Sequence, residues 1–189
     1  ITIVCTVSPE ESKERFWIFT FCTMRRPILR VVFGPRDPSY ISPILSAIQS
    51  DLCESGIDGV LSTHIQRDAL EKFSYVSPIG AAGVYLHAVA GDFQKEGPAR
   101  ELFKSMIREI SALAAAMGYP FEKDYVKINL EILSNLSADA TTSMQRDIME
   151  GKPSELDGLV MEPLRLAKKY SVSMPCYEEV AKVLCPLEF

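Results

Sequence analysis

Three places along the chain hold residue types that can do chemistry on a small polar substrate. Lys72 stands in RDALEKFSYVSPIGAAG, where a charged turn runs into an unusually apolar stretch. An ammonium at the edge of a dry pocket can give up a proton or hydrogen-bond an oxyanion; the structural alternative is a lysine that snorkels from a helix surface. Thr142 and Ser143 precede Met144-Gln145-Arg146-Asp147, so either hydroxyl can cap a helix whose first amides also suit a carboxylate. In Pro153-Ser154-Glu155-Leu156-Asp157, Ser154 and Asp157 have the spacing of a capping box. Glu155 then falls in a first helical turn, where the dipole stabilises a carboxylate without any catalytic role. Taken singly, each of the three reads as structural.

The elements that must position these groups change character along the chain. Ile1–Val7, Phe16–Cys22 and Ile28–Phe33 are rich in β-branched and aromatic residues and predict strands. Tyr40–Cys53 places Ile44, Leu45, Ile48 and Leu52 at helical spacing, with Gly56 just beyond. After a short extended piece at Val60–Ser62, apolar residues recur every three or four positions. That pattern predicts helices over Gln66–Leu86, Ala99–Met117, Asp124–Ser137, Thr142–Glu150, Glu155–Tyr170 and Tyr177–Leu184, a bundle of about six. The expected boundary lies near residue 60, with domains at 1–60 and 61–189. The chain opens at Ile1 on a strand-like run, which suggests a fold that begins further upstream.

A dinucleotide grip needs GxGxxG between a strand and a helix, so that the backbone can approach a pyrophosphate. That fingerprint is absent from the sequence. Gly56-Ile57-Asp58-Gly59 follows a helix, and Gly80-Ala81-Ala82-Gly83 sits inside a helical pattern, where small residues read as close-packing contacts between helices. Cys5, Cys22, Cys53, Cys176 and Cys185 are scattered and form neither a CxxC pair nor a ligand cluster with His64 and His87. They read as reduced thiols in a cytosolic protein, most of them acting as small core hydrophobes. No metal site is expected.

Composition narrows the classes further. The 189 residues are 47% hydrophobic and 24% charged, enough to bury a real core. A net charge of -5 has the wrong sign for general attraction to nucleic acid or an anionic membrane. No run of about 18 apolar residues marks a membrane span.

Read together, the candidate groups resemble a known family. TTSMQRDIMEGKPSELDGLVMEPLRLAKKYSVSMP is similar to the C-terminal stretch of ketopantoate reductases, with its T-S-M-x-x-D-I element, short G-[KR]-P-[ST]-E-[IL]-D turn and [YH]-[GS]-V-x-x-P ending. LEKF resembles the family's lysine-bearing helix, and LRVVFGP resembles the strand and glycine that close its nucleotide-binding domain. FKSMIREISALAAAMGY looks like the helix that follows, with Glu109 at a position usually acidic.

The resemblance implies an α+β chain, mostly α. A helical bundle like the 6-phosphogluconate dehydrogenase C-terminal domain would follow a partial, β-rich remnant of a Rossmann domain. It implies NADPH-dependent reduction of a 2-keto acid, 2-dehydropantoate to pantoate on the route to pantothenate, in a cleft between the two domains. Lys72 would donate a proton or hydrogen bond to the developing alkoxide. Glu155 would position Lys72, the substrate and the cofactor, Ser143 would take the carboxylate, and Glu109 would line the substrate site. Where many relatives carry asparagines four and eight residues after the lysine, this chain has Val76 and Gly80 at those substrate-facing positions, which opens the choice of substrate. The expected partners are a small 2-keto acid and a second copy in a homodimer, with neither nucleic acid nor membrane. A related dehydrogenase on another keto or hydroxy acid, or a non-catalytic helical interaction module, are the alternatives.

Overall fold

Runs of β-branched and aromatic side chains fit a pleated, half-buried surface, and the beginning of the chain forms strands accordingly. The computed structural model describes residues 4–7, 16–22, 29–35, 39 and 41–185, with side chains from residue 29 onward. Strands β1 (Val4–Val7), β2 (Phe16–Cys22) and β3 (Leu29–Pro35) pair antiparallel in sequence order. Strand β4 (Asp58–Leu61) then joins β3 in parallel, completing a sheet of order β1-β2-β3-β4. The expected strand Ile1–Val7 is described only from Val4, and the fourth strand begins two residues before the expected Val60.

A parallel pair requires a crossover, here supplied by helix α1 (Pro43–Glu54). Ser42 starts it by accepting the amide of Ile44 at 3.4 Å, and Pro43 occupies the first turn, where its missing N–H costs nothing. Strand β3 is covered on both faces, as parallel strands are. Val31 and Phe33 pack with Leu45 of α1, while Val32 packs with Ile65 on the other face. Gly34 is obligatory, because a Cβ there would collide with the Ser62 carbonyl oxygen.

The chain divides into two units, Ile1–Ala69 and Leu70–Phe189. The second is helical: the body of α2 (Ile65–Leu86), then α3 (Ala90–Gln94), α4 (Pro98–Ala116), α5 (Tyr125–Ser134) and α6 (Ser143–Met149). A π-helical turn (Asp157–Met161) follows and runs directly into α7 (Glu162–Tyr170), after which comes α8 (Pro175–Leu184). The chain is thus mostly α, as its periodicity predicts. Its core is organised by α4, whose Phe103, Met106, Ile107, Ile110 and Leu113 form one buried stripe at helical spacing. Each such side chain contributes roughly 1.5–3 kcal/mol by leaving water. Phe93, Leu133, Val160, Tyr177 and Val180 complete the cluster.

Two expectations are corrected. The single helix expected over Glu155–Tyr170 instead opens with the π-helical turn, and the capping box expected from Ser154 and Asp157 does not form. Leu156 occupies the cap position without a side-chain bond, and both Asp157 oxygens accept hydrogen bonds from Arg165, one of them at 3.0 Å. Of the five cysteines, most of them expected as small core hydrophobes, Cys53 is exposed on α1 while Cys176 and Cys185 are half-buried. The side chains of Cys5 and Cys22 lie outside the described residues.

Candidate functional site

Helix α2 carries Lys72, Val76 and Gly80 at successive intervals of four, so the three share one helical face. The same helix contains Pro78. A proline has no N–H to give the carbonyl four residues earlier, which here belongs to Ser74. Asn129 of α5 fills that role: its side-chain amide donates to the Ser74 carbonyl at 3.0 Å and to the Ser74 hydroxyl at 3.1 Å, with both residues buried. The helix therefore continues through the proline for two more turns.

A second proline repeats the device. Pro163 lies four residues after Leu159 and cannot supply the α-helical hydrogen bond to its carbonyl. The buried hydroxyl of Ser77, on α2, donates to Leu159 O at 2.6 Å. With its single proton so used, Ser77 accepts from the hydroxyl of Tyr177 at 2.5 Å. Tyr177 is fully buried, and burial pushes its phenol well above the usual tyrosine range. Sequence reasoning passed over Ser77, Asn129 and Tyr177. The only signals available were the prolines, which announce a carbonyl in need of a donor without saying where the donor lies.

Lys72 is half-buried, and burial lowers its pKa from the ordinary lysine value of 10.5. Val76, one turn on, is half-buried as well. Gly80 is fully covered: a Cβ there would stand 3.1 Å from the Met144 methyl and 3.8 Å from Leu159 Cδ1. Three elements meet at that glycine, namely α2, the first turn of α6 beside Ser143, and the π-helical turn that follows Glu155. Gly83, one turn later, accommodates Gln145, whose side chain would meet a Cβ at 2.8 Å. Gln145 donates to Ala88 O at 2.8 Å and accepts the amide of Thr142 at 2.9 Å, while Thr142 Oγ1 accepts the amide of Gln145 at 3.2 Å. The two glycines are close-packing contacts between helices, as their spacing predicts.

Since Thr142 takes the cap of α6, the neighbouring Ser143 hydroxyl stands exposed in the first turn. Glu155 is exposed, and its backbone carbonyl accepts the amide of Leu159 at 2.9 Å. Glu109 is placed elsewhere. Its carboxylate accepts the amides of Cys176 at 2.8 Å and Tyr177 at 3.1 Å, capping the first turn of α8. Burial and then Glu109 push the Cys176 thiol up to about 11. An open groove of about 440 Å³, bordered by Arg100, Asp124, Lys127 and Glu131, includes none of the candidate residues, and its mixed charge selects no ligand sign. Among the described residues no group of three His, Cys, Asp or Glu side chains could hold a metal, and no helix is long and apolar enough to cross a membrane.

Residues 64–188 match the family described as ketopantoate reductase PanE/ApbA C terminal. The chain belongs to that family. Among curated proteins none matches it. Among solved structures it is similar to a 2-dehydropantoate 2-reductase from Methylococcus capsulatus, with 22% identity over 96% of this chain and 62% of that one, at a TM-score of 0.80. It is also similar to a dimeric ketopantoate reductase from Staphylococcus aureus, with 16% identity, 90% and 60% coverage and a TM-score of 0.73. A D-mandelate dehydrogenase held with NADH and anilino(oxo)acetate gives 17% identity, 82% and 64% coverage and a TM-score of 0.68. At these identities the likeness shows the fold, and this ketopantoate reductase-family chain spans less than two thirds of each of the three. The relatives are oxidoreductases.

No GxGxxG turn for a dinucleotide pyrophosphate occurs in the sequence of this family member. Gly56, at φ +77°, closes α1 with open space beside it, a Cβ at Gly59 would stand 3.0 Å from Leu52 Cβ, and Gly80 and Gly83 lie under Met144 and Gln145. Gly59, Gly80 and Gly83 are therefore filled packing contacts.

Proposed function

We propose that this chain is the substrate-handling part of an NADPH-dependent reductase of 2-keto acids, with 2-dehydropantoate as the first substrate to test. In the same reading, residues 1–60 are the end of a nucleotide-binding domain, residues 61–189 are the substrate domain, and the enzyme is a cytosolic homodimer. The sequence carries no GxGxxG turn to grip the reductant, and Glu155 is the residue here that helps to position it. The observation that carries the proposal is Lys72, a half-buried ammonium with a lowered pKa on the helix that opens the family-matched segment.

Reduction of a ketone leaves negative charge on the carbonyl oxygen, and the new hydroxyl needs a proton. An ammonium that burial has made more acidic supplies both the field and the proton at a smaller free-energy gap than an ordinary lysine. Ser143, with its hydroxyl exposed and not used in capping, takes the substrate carboxylate. Glu155 accepts from Lys72 and from a substrate hydroxyl, which fixes the direction in which the ammonium points. Val76 and Gly80 define the adjoining wall. Glu109, with both oxygens engaged on α8, acts on this site only by holding the helices in register.

The test is NADPH oxidation with 2-ketopantoate by the full-length protein and by its Lys72→Ala variant. Turnover should fall by about 10²–10⁴-fold, the range that general acids contribute; a variant with undiminished turnover would refute the assignment. The apolar pair Val76 and Gly80 favours a second reading, in which the substrate is a 2-keto acid that lacks the pantoate hydroxyl. Lys72-dependent turnover of an aromatic or branched 2-keto acid, but not of ketopantoate, would establish it. If no keto acid is reduced and no cofactor binds, the chain is a helical interaction module.

A further inference from the structure

We propose that Ser77 is a positioning residue that ties the helix of Lys72 to the turn of Glu155, so that the two groups keep a common register. The inference rests on the reductase reading above and concerns how its two catalytic candidates are held.

The link runs through one residue, Leu159. The Ser77 hydroxyl, five residues along α2 from Lys72, donates to the Leu159 carbonyl at 2.6 Å. The amide of the same Leu159 donates to the Glu155 carbonyl at 2.9 Å. Leu159 is thus pinned at its C=O to the lysine helix and at its N–H to the glutamate. Its side chain lies against Gly80, where the absent Cβ lets α2 and the π-helical turn approach. Pro163 makes the pin selective. Because residue 163 has no N–H, the ordinary helical donor cannot compete with Ser77 for that carbonyl. The widened turn completes the arrangement, with the amide of Glu162 reaching back to Asp157 O. π-Helical turns of this kind are frequent where a helix must present a functional group.

Ser77 touches no reacting atom, so its effect is transmitted through Glu155. This distinguishes it from a residue that merely stabilises the core. Tyr177 provides the internal comparison: Tyr177→Phe removes the other hydrogen bond to Ser77 and leaves the Ser77–Leu159 bond in place.

The experiment measures kcat, KM and the pH dependence of kcat for the full-length enzyme, with wild type, S77A, Y177F, E155Q and the double variant S77A/E155Q. Loss of register should lower kcat in S77A by roughly 10- to 100-fold while KM changes less than about threefold. The pH profile should shift with it, because the environment of Lys72 changes. Y177F should retain kcat within about threefold. In the double variant, S77A should add less than about twofold to E155Q, since both act through one carboxylate. If S77A folds poorly, S77A/P163A restores a backbone donor to Leu159 O without restoring the link to α2, and its kcat should be as low.

Wild-type kcat in S77A or in S77A/P163A, or full multiplication of the S77A and E155Q effects, would overturn the proposal. If K72A and E155Q themselves keep wild-type turnover, the reductase reading falls and this inference falls with it. Impaired K72A beside an unimpaired S77A overturns this inference alone.

Discussion

Asn129→Ala should expose how the helical unit tolerates a proline in the middle of α2. The Asn129 amide donates to the Ser74 carbonyl at 3.0 Å and to its hydroxyl at 3.1 Å, with the two residues at 1% and 0% exposure. Truncation removes two hydrogen bonds worth roughly 0.5–1.5 kcal/mol each and strands a buried carbonyl, whose unmet desolvation costs about 1–3 kcal/mol. These terms overlap, and the expected loss is about 3 kcal/mol. Pro78→Ala supplies the control. It restores an N–H four residues after Ser74, so the carbonyl keeps a donor when Asn129 is cut back. In that background Asn129→Ala should cost about 1–2 kcal/mol less than in the wild type. Urea unfolding followed by far-ultraviolet circular dichroism on the four proteins of the cycle measures the difference. Equal costs in both backgrounds, within about 0.5 kcal/mol, would refute the view that Asn129 serves the carbonyl left by Pro78.

Three further outcomes are expected. Burial lowers the Lys72 pKa below 10.5, so reductase activity that needs the ammonium should fade as pH rises through that lowered value; Lys72→Arg should retain activity to higher pH. The corresponding effect on stability has the opposite sign, since a lysine with a depressed folded-state pKa burdens the fold while charged and is relieved as pH rises. Glu109→Gln removes a carboxylate that helps to hold Cys176 at about 11 and caps α8. Alkylation of Cys176 at mildly alkaline pH should accelerate, the fold should lose about 1 kcal/mol, and exposed Cys53 should label before Cys176 and Cys185 in the wild type; an unchanged Cys176 rate would count against the electrostatic cause. Gly34→Ala drives a methyl into the Ser62 carbonyl and should cost about 3 kcal/mol or more, visible as a lowered melting temperature. A neutral result would mean that β3 and β4 separate easily.

Much of the architecture was legible because it follows from local periodicity. The stripe along α4, the strand Phe16–Cys22 and the Gly80–Gly83 contact are short-range patterns that one segment carries by itself. Helix α3 was missed because Ala90–Gln94 is too short for a 3.6-residue period to show. The cap expected at Ser154 failed because Asp157 had a stronger partner in Arg165, eight residues away.

The sequence by itself determined where chemistry-bearing types occur: Lys72 before an apolar helix, hydroxyls at Thr142 and Ser143, a carboxylate at Glu155, and the wording that places them in one family. It also announced, through Pro78 and Pro163, two carbonyls that helices could not satisfy. Tertiary structure alone decided which groups answer them. Asn129 comes from 55 residues away and Ser77 from 82, separations at which no periodicity carries information. The reason is physical: a buried carbonyl must be paired, but any donor that packing brings within about 3 Å will do. Only the folded chain selects one.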